Sequence, residues 1–114
     1  MQRTKISNSI AFLCLVTAIF AGKATAADYY VDITNATGYT IVYMYVSPGD
    51  ARNWEEDVLG SEVLPDGDAR RVYLSGYRSP YFDVRLVDED GDTYTFWDVN
   101  VAQHDLVVTL DQLD

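Results

Sequence analysis

Residues 81–99 read YFDVRLVDEDGDTYTFWDV, two alternating apolar and polar runs joined by Asp90-Gly91. An Asp-Gly step between such runs is a strong hairpin signal, because a two-residue type I′ turn needs positive φ at both central positions and Asp and Gly tolerate it. With Asp90 and Gly91 as the loop, Glu89 is expected opposite Asp92, Val87 opposite Tyr94, Arg85 opposite Phe96, Val84 opposite Trp97 and Phe82 opposite Val99. One face then gathers Phe82, Val84, Leu86, Trp97 and Val99 as core, and the other shows Arg85, Val87, Tyr94 and Phe96. A slip of one residue would exchange the two faces.

The flanking segments read as further short strands. YYVDIT at 29–34 alternates, with Val31 and Ile33 on one face. TIVYMYV at 40–46 is apolar on both faces, Ile41, Tyr43 and Tyr45 on one and Val42, Met44 and Val46 on the other, as in a central strand whose second face is partly covered. Ser47-Pro48 offers a cap and a first helical position, so a short helical turn is expected near Trp54, with Trp54 lying over the sheet. Residues 58–64 suit a loop or a short edge strand, and Pro65-Asp66-Gly67-Asp68 is a turn. Residues 70–74 form a strand with Val72 and Leu74 inward, 75–80 a loop with Tyr77 and Arg78 at its tip, and 106–110 a closing strand with Leu106, Val108 and Leu110 on one face. Six to seven short strands, turn signals at intervals of roughly 8–12 residues and no long helical period indicate an all-β fold, an antiparallel β-sandwich.

Ahead of this domain stands an export signal. Residues 1–26 combine Arg3 and Lys5, an apolar run from Ile10 to Phe20 and an Ala24-Thr25-Ala26 cleavage site, the three parts of a secretory signal peptide. The apolar run is short of the roughly 20 residues that span a bilayer, so no membrane insertion is expected after cleavage. Cys14 follows Leu13 where a lipidation signal would carry a small residue, and it is the only cysteine. Residues 27–114 are therefore expected to form a single domain with no disulfide, periplasmic or secreted, small enough to be marginally stable. The export signal has a bacterial look, so the Asn35-Ala36-Thr37 sequon reads as a chance match.

Beyond residue 26 there are five arginines, no lysine and all 18 acidic residues, a formal charge of −13. Such a field repels phosphate backbones and anionic lipid, which excludes nucleic-acid and membrane-surface roles, and it attracts cations and basic proteins.

Thr37-Gly38-Tyr39-Thr40-Ile41, Tyr45-Val46-Ser47-Pro48, Trp54, Asp57-Val58-Leu59-Gly60, Leu64-Pro65-Asp66-Gly67 and the 82–94 run resemble a family of small exported bacterial β-domains without established activity. The resemblance covers nearly all of residues 27–114. Proteins of this kind are sometimes labelled argininosuccinate lyase, a long helical fold with a lysine-bearing signature loop. A short, lysine-free β domain does not support that label, and the resemblance implies no functional residue.

The chemistry of the residues points to binding. His104 is the one histidine and lies in a turn, and no nucleophile is placed beside it, so the chain is expected not to be an enzyme and no catalytic residue is assigned. One His without Cys serves zinc poorly. Calcium is the one cofactor the acids suit: Asp88, Glu89, Asp90 and Asp92 crowd the hairpin tip, where opposed like charges cost some tenths of a kcal/mol each. The spacing is not that of an EF-hand, and a solvated acidic tip accounts for the same residues. The aromatic content, nine Tyr, two Trp and two Phe after residue 26, exceeds what so small a core hides. Arg85, Val87, Tyr94 and Phe96, with Tyr77 and Arg78 nearby, have the composition of interface hot spots and are the candidate partner-binding residues. The expected function is an exported, non-enzymatic module with an acidic, Tyr-rich surface for a protein partner, an adaptor or an inhibitor of a basic secreted protein. A calcium-dependent structural or glycan-binding domain is the alternative, and an enzyme of unknown class the third reading.

Overall fold

The computed structural model describes residues 26–114. The leader expected at 1–26 lies, apart from Ala26, outside the described residues. Strands β1 (Ala27–Asn35), β2 (Ile41–Pro48), β3 (Ala69–Tyr77), β4 (Tyr81–Asp88), β5 (Thr93–Asn100) and β6 (Leu106–Val108) precede a 3-10 turn, Leu110–Gln112. They build two three-stranded sheets, β3-β1-β6 and β2-β4-β5, and hence a small β-sandwich. Neighbouring strands are antiparallel except β1 and β6, which run parallel with Ile33 beside Leu106. The chain reaches β6 by crossing from the other sheet, so no hairpin imposes antiparallel pairing there.

The core lies between the sheets. Val31, Ile33, Val72, Leu74, Leu106 and Val108 come from one, and Ile41, Met44, Val46, Phe82, Val84, Leu86 and Tyr94 from the other. Each such aliphatic or Phe side chain contributes about 1.5–3 kcal/mol by leaving water. Ile41 joins the Met44 and Val46 row, against simple alternation, because β2 slips register by one residue between Ile41 and Tyr43.

The central hairpin exists, but its turn and register differ from the two-residue expectation. Val87 pairs with Thr93, Leu86 with Tyr94, Arg85 with Thr95 and Val84 with Phe96. Asp88 N–H donates to the Asp92 carbonyl and Gly91 N–H to the Asp88 carbonyl, so Glu89, Asp90 and Gly91 form a three-residue loop. Only Gly91 takes positive φ, at 87°, as a three-residue loop ending in a left-handed residue requires. The Asp88 carboxylate selects this loop: its Oδ1 accepts the amides of Asp90 (2.9 Å) and Asp92 (3.0 Å), and its Oδ2 accepts the Tyr94 hydroxyl (2.8 Å). The shifted pairing turns Tyr94 into the core at 0% exposure.

A second irregularity restores the expected Phe82–Val99 pair. Between Phe82 and Val84 the register shifts again, so that Asp83 faces both Trp97 and Asp98. Asp98 takes φ 55°, and its amide donates to Asp83 Oδ1 at 2.7 Å. Trp97, the residue after inward Phe96, is already turned outside by the three-residue loop and is 38% exposed, whereas the bulge returns Val99 to the core side beside Phe82.

Two further expectations fail. Residues 49–56 make a turn and bends with no helical turn near Trp54, because β2 runs through Ser47 and Pro48 to their ladder partners Asp83 and Phe82. The last strand ends at Val108. Thr109 caps the 3-10 turn, its Oγ1 accepting the Asp111 amide while Gln112 Oε1 accepts the Thr109 amide, and Leu110 is left 53% exposed.

One side chain ties the two long loops to β1. Asn35 is fully buried. Its Nδ2 donates to the carbonyls of Tyr39 (2.7 Å) and Leu64 (2.9 Å), and its Oδ1 accepts from the amide (3.0 Å) and hydroxyl (2.7 Å) of Thr37. A glycan on this nitrogen is incompatible with the folded state.

Replacing Asn35 with Ala strands those buried partners and is expected to cost about 2–4 kcal/mol in urea unfolding. Burial first, then the hydrogen bond to Asp88 and the charge of that carboxylate, push the Tyr94 hydroxyl up to about 12. Because the folded value is raised, the stability it carries is whole below pH 10, where unfolded tyrosine is still neutral, and is lost as pH climbs from 10 to about 12. Thermal unfolding across that window should show a loss approaching about 3 kcal/mol, and Tyr94→Phe should remove this component while costing about 1–3 kcal/mol at neutral pH by leaving Asp88 Oδ2 unpaired.

Candidate functional site

The outer face of the β2-β4-β5 sheet gathers residues that the register places in rows. Tyr43, Val87 and Thr93 form one row, and Tyr45, Arg85 and Thr95 the next. The Tyr43 and Tyr45 rings lie nearly parallel, 6.4 Å apart at an interplanar angle of 16°, and Tyr43 is about half exposed.

Trp54 is brought onto this face by a loop pinned at both ends to the free edge of β2. Glu55 N–H donates to Ser47 Oγ at 3.0 Å. Asp57 Oδ1 accepts the amides of Met44 (2.8 Å) and Leu59 (3.0 Å), and Val58 N–H donates to the Met44 carbonyl at 2.8 Å. Pinned so, Trp54 packs against Trp97 with ring centroids 5.8 Å apart. The Arg85 guanidinium carbon stands 5.2 Å from the Trp54 centroid, a contact of about 0.5–1 kcal/mol at such a half-exposed place. Arg85 Nε also donates to Thr95 Oγ1 at 3.2 Å. The hydroxyls of Thr93 and Thr95 donate to Asp114 Oδ2, which the Tyr94–Leu113 bridge brings alongside β5.

Around this aromatic strip stand exposed carboxylates: Glu55 beside Trp54, Asp98 beside Trp97, Asp114 along β5, and Glu89, Asp90 and Asp92 at the hairpin tip. At the Ser47–Asp83 pair the face is closed, both residues being buried. Toward Tyr43 and Val87 it opens to solvent.

Of the partner-binding residues expected from sequence, Arg85 and Val87 lie on this face. Tyr94 and Phe96 do not: the three-residue turn points both inward, Tyr94 buried and Phe96 packed on the core. Tyr77 also packs inward, edge-on to Phe82 at 5.0 Å, while Arg78 is exposed in the loop between β3 and β4. Trp97 and the Tyr43–Tyr45 pair are the members that alternation missed. The i, i+2 spacing of the tyrosines was the available signal, whereas the side of Trp97 depends on the three-residue loop.

At the hairpin tip, Asp88, Asp90 and Asp92 bring one carboxylate oxygen each within 4.8 Å of one another. Glu89 turns away, its Oε2 accepting the Thr40 amide at 3.2 Å. A calcium ion takes six to eight oxygen ligands and would have to share Asp88 with the three hydrogen bonds that it already accepts. Backbone amides thus relieve the crowding of these acids.

His104 is exposed in the turn before β6. It lines a cavity of about 400 Å³ with Asp28, Tyr29, Tyr30, Val101, Ala102, Gln103 and Asp105, a lining without serine, threonine or cysteine. Asp105 there has a structural task, accepting the Asp32 amide at 3.0 Å. The outer face of the other sheet is self-paired. Arg71 grips Asp32 through both carboxylate oxygens at 2.8 and 2.9 Å, lies 4.1 Å over the Tyr30 ring, and holds the Asp32 carboxyl below its ordinary range.

Among the described residues no helix is long and apolar enough to cross a membrane. No family model, curated protein or solved structure matches the chain.

Proposed function

We propose that the protein is an exported, non-catalytic binding module that holds a basic protein partner on the outer face of the β2-β4-β5 sheet. The observation that carries this reading is the joining of Trp54, Trp97 and Arg85 into one packed group beside Tyr43 and Tyr45, with carboxylates around it. Trp, Tyr and Arg are the residue types that dominate interface energetics. The acidic surround speeds encounter with a positive partner, and the aromatic centre slows its departure. No proton donor, nucleophile or metal has a part in this role.

The Tyr43–Tyr45 pair favours a second reading, in which parallel exposed rings stack on sugar rings of a glycan.

The two readings separate in one experiment. Immobilised protein is challenged with envelope extract and, separately, with soluble polysaccharides, and is eluted first with salt and then with chelator. Retention of a discrete basic protein that salt releases, and that Trp97→Ala or Arg85→Ala weakens by about tenfold or more, is the expected result, each substitution removing a central contact worth about 1–2 kcal/mol. Salt-insensitive polysaccharide retention lost with Tyr43→Ala would favour the glycan. Retention unaffected by any of the three substitutions would overturn both.

A further inference from the structure

The row that crosses the outer face of the second sheet runs Tyr45, Arg85, Thr95. It continues to Asp114, because the Tyr94–Leu113 bridge and the bond from the Asp114 amide to the Thr93 carbonyl (2.9 Å) lay residues 113 and 114 along the outer edge of β5. Among the described residues the arginine–carboxylate ion pairs are Arg70–Glu62 and Arg71–Asp32, so Arg85 has no carboxylate paired directly with it. It meets Thr95 and Trp54 instead.

The direction of the bonds at Thr95 is forced by chemistry. A guanidinium only donates, a carboxylate only accepts, and a hydroxyl has one hydrogen to give. The Thr95 hydrogen therefore goes to Asp114 Oδ2, and a Thr95 lone pair receives Arg85 Nε–H at 3.2 Å. Thr93 brings a second hydroxyl to the same Oδ2 at 2.8 Å. A cation and an anion are thus joined through one hydroxyl, and each bond polarises the next.

We propose that Asp114, acting through Thr95, positions Arg85 and sets the charge preference of the outer face, an inference that rests on the reading of that face as a site for a basic partner. A guanidinium at the centre of the face would by itself repel such a partner, since like charges set against each other in an interface are strongly disfavoured. Tied to Asp114 through the hydroxyl, Arg85 stays beside Trp54 with its charge balanced from the edge of the sheet. The partner then meets aromatic rings and the carboxylates around them. Thr95 and Asp114 are positioning residues, which act on the partner through Arg85.

Proton exchange at Arg85 Nε, followed by nuclear magnetic resonance, reads the hydroxyl bridge in the purified protein alone. Thr95→Val should speed that exchange by about tenfold, and Asp114→Ala should speed it as well. Thr95→Ser keeps the hydroxyl and should stay near the wild-type rate. A role confined to holding residues 113 and 114 on β5 would leave Arg85 unmoved. Hexalysine serves as the basic probe, its affinity read from the Trp54 and Trp97 indole signals. Thr95→Val alters no charge, so the expected rise of about threefold in the hexalysine dissociation constant reports an Arg85 no longer balanced. Circular dichroism checks that the variants remain folded. Arg85 exchange unchanged in Thr95→Val would overturn the bridge, and unchanged hexalysine affinity would overturn the charge preference. A Thr95→Ser variant that behaves as Thr95→Val would overturn both. Neither measurement uses the natural partner, so an empty eluate from envelope extract counts against the binding reading alone.

Discussion

The buried carboxylate of Asp88 is the constraint on which both faces of the second sheet depend. A carboxylate taken out of water costs several kcal/mol unless its oxygens are satisfied, and here two turn amides and the Tyr94 hydroxyl do so. The same bonds hold Glu89, Asp90 and Gly91 in a three-residue loop and move the pairing of β4 and β5 by one residue. Tyr94 and Phe96 turn inward as a result. Trp97, next to Phe96, turns outward by the same shift, and the Asp83–Asp98 bulge then restores the pairing of Phe82 with Val99. The aromatic strip on the outer face is thus a consequence of how one acidic side chain is satisfied some ten residues away.

Asp88 is one instance of a wider pattern. Asp57, Asp66, Asp83, Glu89 and Asp105 also accept backbone amides in loops, bulges or at strand edges. Charge-assisted bonds of this kind are about twice as strong as neutral ones, and they close turns in a domain whose residues 27–114 hold no cysteine. The acidic excess therefore has two components. Part of it is architecture, consumed in holding amides, and only the exposed remainder around Trp54, Trp97 and the hairpin tip sets the field outside this face.

Much of the fold was legible in the sequence. Period-two alternation located the long strands, turn residues separated them, and the absence of a helical period pointed to a sandwich. The inward rows Val31–Ile33 and Val72–Leu74 follow from alternation alone. What alternation leaves open is any place where a side chain redirects the backbone. Asp-Gly is compatible with both two- and three-residue loops, and the choice lies in Asp88, which reads as one more polar residue. The bulge at Val42 moves Ile41 to the other row, the choice of loop moves Trp97 outside, and the bulge at Asp98 brings Val99 back inward. Pro48 suggested a helix start because its partner Phe82 is more than thirty residues distant. Hence Arg85 and Val87 were located correctly, while Tyr94 and Phe96 were exchanged for Trp97.

The same pins bear on how the outer face acts under the proposed reading. Arg85 carries a long side chain whose freedom is normally lost on binding, at about 0.5–1.5 kcal/mol for each rotamer-rich group immobilised. Here it already rests on Trp54 and Thr95, and Trp54 hangs from a loop tied to β2 by Ser47 and Asp57. The ordering cost has been met in folding, so a partner that reaches this face has little left to organise. Ser47 is itself fully buried, as is its ladder partner Asp83, so the anchor of that loop lies inside the fold. The groups that place the tryptophan are thus Ser47 and Asp57 rather than the exposed rim carboxylates, and the shape of the face should survive changes to the rim that alter the encounter rate.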